Sequence, residues 1–155
     1  MWTGETNKAG RDYLEQRSTL GKKFQAMNPP SDILVVEDSP ADARQINSAL
    51  RILFGLEVVS RTVASINALN IALKDRLPDL VFLDDQIDTS RAETTVPVLR
   101  NGGYTGPIVA ISGFLTRTRV VELMRLGIVD IIHKDSLDSS RLREAVLKAM
   151  SGDFT

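Results

Sequence analysis

The chain of 155 residues has no cysteine, one histidine and only 5% aromatic residues. Without cysteine it has no disulfide scaffold, no thiolate zinc site and no thiol nucleophile. A single histidine leaves a histidine-based metal site or catalytic dyad without partners. No apolar run approaches the length of a membrane span, and the N-terminus lacks the charged-then-apolar layout of a signal peptide. Charge of one sign is also missing: 19 basic and 20 acidic residues give a net charge of −1. No global positive field is available to hold nucleic acid. These absences fit a soluble cytoplasmic domain with neither membrane nor direct nucleic-acid contact. Three phosphate and acyl-transfer motifs are absent as well: the G-x-x-x-x-G-K-[ST] loop, a Gly-rich turn after the first strand, and the G-x-S-x-G elbow.

What is present falls into two parts. In residues 1–30, five Lys and Arg face three Asp and Glu. Tyr13, Leu20, Phe24 and Met27 recur at helical spacing, so an amphipathic helix is expected over Arg11 to Met27, ended by "NPP". This N-terminal extension either packs on something or stays a tail. Residues 31–155 alternate regularly. "ILVV", "LEVVS", "LVFL", "IVAI" and "VDII" read as five strands. Between them lie helices with apolar stripes at Ile46, Leu50, Leu53; at Ile66, Leu69, Leu73, Leu77; and at Val120, Leu123, Met124. A short third helix is expected around Thr95 to Arg100, with Pro97 in its first turn. The last helix carries Leu142, Ala145, Val146, Ala149 and Met150. Strand–helix alternation of this kind specifies an α/β fold with a parallel sheet and helices on both faces.

In such sheets ligands bind beyond the carboxyl ends of the strands. Strand one ends in Glu37 and Asp38, strand three in Asp84 and Asp85, strand four in Ser112, and strand five in His133 and Lys134. Strand two ends in Ser60 and Arg61 without a carboxylate. Carboxylates converging from neighbouring strands repel unless a cation sits among them, and all-oxygen ligation favours Mg2+. A hydroxyl and a lysine opposite them supply donors to an anion. The set fits phosphoryl transfer, which needs positioning and charge neutralisation more than a strong base. His133 reads as a packed or surface residue, and Arg117, Arg119 and Arg125 as a solvated face. A phosphatase with an aspartate nucleophile would want a second aspartate at position 86, where Gln86 stands.

The motifs "ILVVEDSPADARQI", "PDLVFLD", "PIVAISG" and "DIIHKD" resemble those of response-regulator receiver domains, over residues 32 to about 150. The resemblance implies the CheY-like five-stranded sheet with strand order 2-1-3-4-5. It implies that Asp84 accepts a phosphoryl group from a sensor histidine kinase or phosphotransfer protein. It implies Mg2+ held by Glu37, Asp38, Asp84 and the backbone carbonyl of Gln86, with Ser112 and Lys134 on the phosphoryl oxygens. The module would assist its own phosphorylation and hydrolysis without being a turnover enzyme, and would switch its affinity for a downstream protein target. With only "SGDFT" after Met150, a stand-alone regulator is expected. The sequence departs from the family where Ile87-Asp88 replaces Met-Pro, where Asp135 replaces a proline, and where Ile131 replaces an aromatic. Phe114, bulky near the site mouth, would hinder attacking water. Two alternatives stand beside this reading. One is a phosphorylation-independent interaction module, homodimerised through the N-terminal segment, and the other is the aspartate phosphatase.

Overall fold

The computed structural model describes residues 30–152. The helix expected over Arg11 to Met27 lies outside them.

Three strands are buried along their whole length: β1 (Asp32–Val36), β3 (Leu80–Asp84) and β6 (Ile108–Ser112). Their uninterrupted apolar runs suit the centre of a parallel sheet covered on both faces. β2 (Val59–Val63) and β7 (Asp130–His133) form the edges. The order is β2-β1-β3-β6-β7, with every neighbouring pair parallel. The expected order 2-1-3-4-5 counted five strands along the chain, whereas the described residues form seven. The additional pair, β4 (Gln86–Ile87) and β5 (Ser90–Arg91), makes a separate antiparallel hairpin directly after β3.

Side chains alternate across each strand, and the two sheet faces carry separate cores. Ile33, Val35, Phe82 and Ile111 pack against Ile46 and Leu50 of α1 (Pro40–Phe54) and Leu142 and Val146 of α5 (Ser139–Met150). Leu34, Val36, Leu83 and Ala110 face Leu69 and Leu73 of α2 (Ile66–Asp75), Leu99 of α3 (Ala92–Asn101) and Leu123 of α4 (Arg117–Arg125). Capping follows the sequence signals. Ser39, Ser65, Thr116 and Asp138 each accept a backbone N–H from the first turn of their helix.

Four expectations need correction. The second strand begins at Val59, where its N–H donates to the Ser31 carbonyl at 2.8 Å, and runs on to Val63. A half-exposed edge strand needs no apolar run, so Ser60, Arg61 and Thr62 belong to it. Arg61 pairs with the buried Asp32 instead of ending the strand. The second helix stops at Asp75 and leaves Leu77 exposed. The third helix starts at Ala92, so Pro97 lies inside it. In α4 the expected inward residues Val120 and Met124 are exposed. The inward face is one position earlier, on Arg119 and Leu123.

Candidate functional site

Sheet alternation separates the two aspartates that end β3. Leu80 and Phe82 face the α1–α5 core, so Asp84 continues on that side; Val81 and Leu83 face the other core, and Asp85 follows them. Both carboxylates are buried, and each has a different cation.

Asp84 meets Lys134, which follows β7 in a short 3-10 turn, Lys134–Ser136. The Lys134 Nζ lies 3.2 Å from Asp84 Oδ2, 2.7 Å from Asp42 Oδ2 and 3.6 Å from Glu37 Oε2. Burial disfavours the ammonium, but these three carboxylates more than offset it and hold the lysine pKa above its ordinary value. Asp42 stands at the capping-box position of α1, three residues after the N-cap Ser39. Its role as the nearest partner of a lysine 92 positions away leaves no local signal in the sequence.

Glu37 ends β1 on the same face. Its Oε1 accepts the Ser39 N–H at 3.0 Å, while Oε2 is buried without a hydrogen-bond partner among the described residues. Burial, then the neighbouring Asp84, pushes its pKa up to about 8, against the pull of the Ser39 N–H and Lys134. One oxygen from each of Glu37, Asp38 and Asp84 lies within 4.8 Å of the others. An orphaned, buried carboxylate oxygen inside a three-carboxylate cluster fits a hard divalent cation, which would supply the missing partner and favour the charged forms. The donor set contains oxygen alone, as Mg2+ prefers.

The hairpin shapes the mouth of this site. Gln86 donates its N–H to Asp84 Oδ1 at 3.1 Å and pairs with Arg91 across the hairpin. Asp88 sits at the turn with φ 53°, a left-handed conformation that Asp tolerates better than most residues. Its N–H donates to Asp38 Oδ2 at 2.9 Å. The Ile87-Asp88 departure therefore closes a turn and fixes one carboxylate of the acidic cluster. Ser112 is also buried, with its hydroxyl engaged by the Phe114 backbone: it donates to the Phe114 carbonyl at 2.9 Å and accepts the Phe114 N–H at 3.2 Å. The Phe114 side chain is 74% exposed. A cavity of about 380 Å³ opens over these groups. Asp38, Asp84, Gln86, Ser112 and Lys134 line it together with Asp85, Asp88, Arg91 and Phe114. The sequence-derived residues thus converge; Glu37 joins them through its carboxylate, within 4.8 Å of Asp38 and Asp84, without lining the cavity.

Asp85 belongs to a second constellation that the sequence hid. Arg119 of α4 is 5% exposed, not part of a solvated face as expected. Its Nε donates to Asp85 Oδ2 at 2.9 Å and its Nη2 to Asp85 Oδ1. The same guanidinium reaches Glu93 at the start of α3 and Glu122 one turn on. Arg119 thereby ties β3, α3 and α4 together. It holds Asp85 below the usual aspartate pKa against the opposing effect of burial, and holds Glu93 at about 2 against an ordinary 4.5. A carboxylate whose folded pKa is depressed stabilises the fold above its unfolded pKa, and the gain disappears as pH falls through the folded value. For Glu93 that window runs from 4.5 down to about 2. Acid titration should therefore destabilise wild type more steeply across this window than Glu93→Gln. Equal slopes by urea denaturation at each pH would contradict the assignment.

Comparisons with known proteins point one way. The family model described as the response regulator receiver domain matches residues 33–147. A search of curated proteins finds no match. Among solved structures, NtrX from Brucella abortus is 29% identical at TM-score 0.67, covering 79% of this chain and 27% of that one. The signal receiver domain of a putative NarL response regulator from Mycobacterium tuberculosis is 21% identical at TM-score 0.67, covering 80% and 98%. The BeF3-activated N-terminal receiver domain of RstA from Klebsiella pneumoniae is 24% identical at TM-score 0.62, covering 74% and 97%. The family match spans most of the chain and coincides with the sheet whose strand ends build the site. The chain belongs to the response regulator receiver domain family.

Proposed function

We propose that Asp84 is the phosphoacceptor of a two-component signalling module, and that its phosphorylation switches binding to a downstream protein. The observation that carries this is the convergence on Asp84 of Lys134, at 3.2 Å, and of the Glu37 and Asp38 carboxylates, within 4.8 Å. Mg2+ would be held by Glu37, Asp38, Asp84 and the carbonyl of Gln86, and when bound would neutralise the charge of the carboxylates and the incoming phosphoryl oxygens. In the transfer, an Asp84 carboxylate oxygen forms the new bond to phosphorus. The bond from phosphorus to the donor breaks, and its electron pair stays with the donor: an imidazole nitrogen of a histidine kinase or phosphotransfer protein, or the acyl oxygen of acetyl phosphate. Lys134 stays protonated and binds a phosphoryl oxygen. Ser112, turning from the Phe114 backbone, would donate to another.

As a receiver domain the chain is a signalling module and not a classical turnover enzyme. No helix among the described residues is long and apolar enough to cross a membrane, and a cytoplasmic address suits a cysteine-free chain. We take residues 31–155 as the receiver and 1–30 as an extension to it.

Incubation of the full chain with acetyl phosphate tests the proposal by intact mass. A gain of one phosphoryl group that requires Mg2+ and vanishes with a chelator is expected. No gain, or a gain indifferent to metal, would overturn it, and the first outcome would favour the phosphorylation-independent interaction module. Asp38→Asn should weaken Mg2+ binding by roughly 100-fold, the upper end of what losing even an outer-shell partner costs a metal site. Backbone amide shifts during Mg2+ titration read this out, and an unchanged midpoint would remove Asp38 from the ligand set.

A further inference from the structure

Lys134 is committed before any phosphoryl group arrives, because its ammonium donates to Asp42 and Asp84 and lies 3.6 Å from the Glu37 carboxylate. A phosphoryl group carries about −1.5 to −2 of charge where Asp84 alone carried one, in a cavity also lined by Asp38, Asp85 and Asp88. Among the described residues one other cation lines that cavity: Arg91, at the end of the β4–β5 hairpin.

Arg91 is held loosely by its side chain and firmly by its backbone. Its guanidinium touches Asp85 Oδ2 at 3.4 Å, beyond the usual N–H···O range. Its side chain is 56% exposed. Asp85 does not depend on that contact, because Arg119 already donates to both of its oxygens. The backbone, in contrast, is registered directly opposite Gln86, two residues past the acceptor. Directly opposed residues of an antiparallel pair lie about 4.5–5.5 Å apart at Cα, which keeps the base of the Arg91 side chain beside the acceptor loop. A guanidinium offers five donors in a planar fork suited to phosphate oxygens.

We infer that Arg91 is a second phosphoryl-binding cation of this receiver, leaving Asp85 to bind the oxygens of the group transferred to Asp84. This rests on the phosphoacceptor reading above. Arg91 neither gives nor takes a proton. It donates hydrogen bonds to the oxygens as charge develops on them, so it speeds transfer without taking part in metal binding.

The test compares full-length wild type, Arg91→Ala and Arg91→Lys. Acetyl phosphate is the donor at saturating Mg2+, the rate is read by intact mass, and Mg2+ affinity is read by amide shifts. A charge-assisted hydrogen bond contributes about 1.5–3 kcal/mol, so Arg91→Ala should phosphorylate roughly 10- to 100-fold more slowly. Its Mg2+ affinity and urea midpoint should stay unchanged. Arg91→Lys, which keeps the charge and loses the fork, should fall between. If wild type is phosphorylated and Arg91→Ala matches its rate, this inference fails and the phosphoacceptor reading stands. If both variants are equally slow and have also lost Mg2+ affinity, Arg91 only shapes the hairpin and the inference is wrong. If wild type itself gains no phosphoryl group, both fall.

Discussion

Arg119→Ala should lower the stability of the domain by about 3–5 kcal/mol, the cost of breaking a buried ion pair by removing one partner. The expectation comes from what is left behind. Asp85 is 4% exposed and would keep the Ala92 backbone N–H and the 3.4 Å contact to Arg91, but no buried cation. Glu93 and Glu122 would lose the guanidinium that joins them. Asp85 would then take up a proton or open the packing between β3 and α4. Urea denaturation measures the effect as a drop in midpoint with little change in slope. Arg119→Lys should recover only part of it, because an ammonium cannot serve both Asp85 oxygens and Glu93 in one plane. Replacing both partners, as in Asp85→Leu with Arg119→Met, should recover most of it, since buried pairs often exchange for apolar groups at little net cost. A loss under about 1 kcal/mol for Arg119→Ala, the range of exposed pairs, would mean that Asp85 is solvated in solution.

Asp84→Asn should abolish phosphorylation entirely, whereas Asp85→Asn should retain it. These two carboxylates are adjacent and both are buried, so burial and proximity do not distinguish them. Their partners do. Asp84 lies on the face with Glu37, Asp38 and Lys134; Asp85 lies on the face with Arg119. On the proposed function, an amide at 84 removes the nucleophilic oxygen and a metal ligand together. An amide at 85 removes one charge from the α4 anchor, and its effect should appear in the urea midpoint and not in the extent of phosphorylation. Intact mass after acetyl phosphate treatment separates the two. Phosphorylation surviving in Asp84→Asn and lost in Asp85→Asn would exchange their roles.

The parts of this fold that are legible in the sequence are those buried on both sides. "ILVV", "LVFL" and "IVAI" announce β1, β3 and β6 because a central parallel strand excludes polar residues. Edge strand β2 does not announce itself, since Ser60, Arg61 and Thr62 satisfy a half-exposed surface as well as apolar residues would. The β4–β5 hairpin is two residues per strand around Asp88-Thr89, too short to carry an alternating pattern. In α4, Leu123 is inward as expected, but Val120 and Met124 are exposed and Arg119 takes the other inward place because Asp85 lies beneath. A buried arginine looks like a surface arginine until its partner 34 positions away is known. The same limit hid Asp42, which also lies at a capping position. Glu37, Asp38, Asp84, Ser112 and Lys134 could be found because a single rule, strand carboxyl ends, collects them without knowledge of long-range contacts.

The central claim is that the phosphoryl group sits on Asp84 and nowhere else. Borohydride reduces an aspartyl phosphate to homoserine, so the full chain can be treated with acetyl phosphate and Mg2+, reduced, and mapped by peptide mass spectrometry. The expected result is homoserine at position 84 alone, absent when Mg2+ is chelated. Homoserine at position 85 or 88, or none at all in a chain that binds Mg2+, would contradict the account.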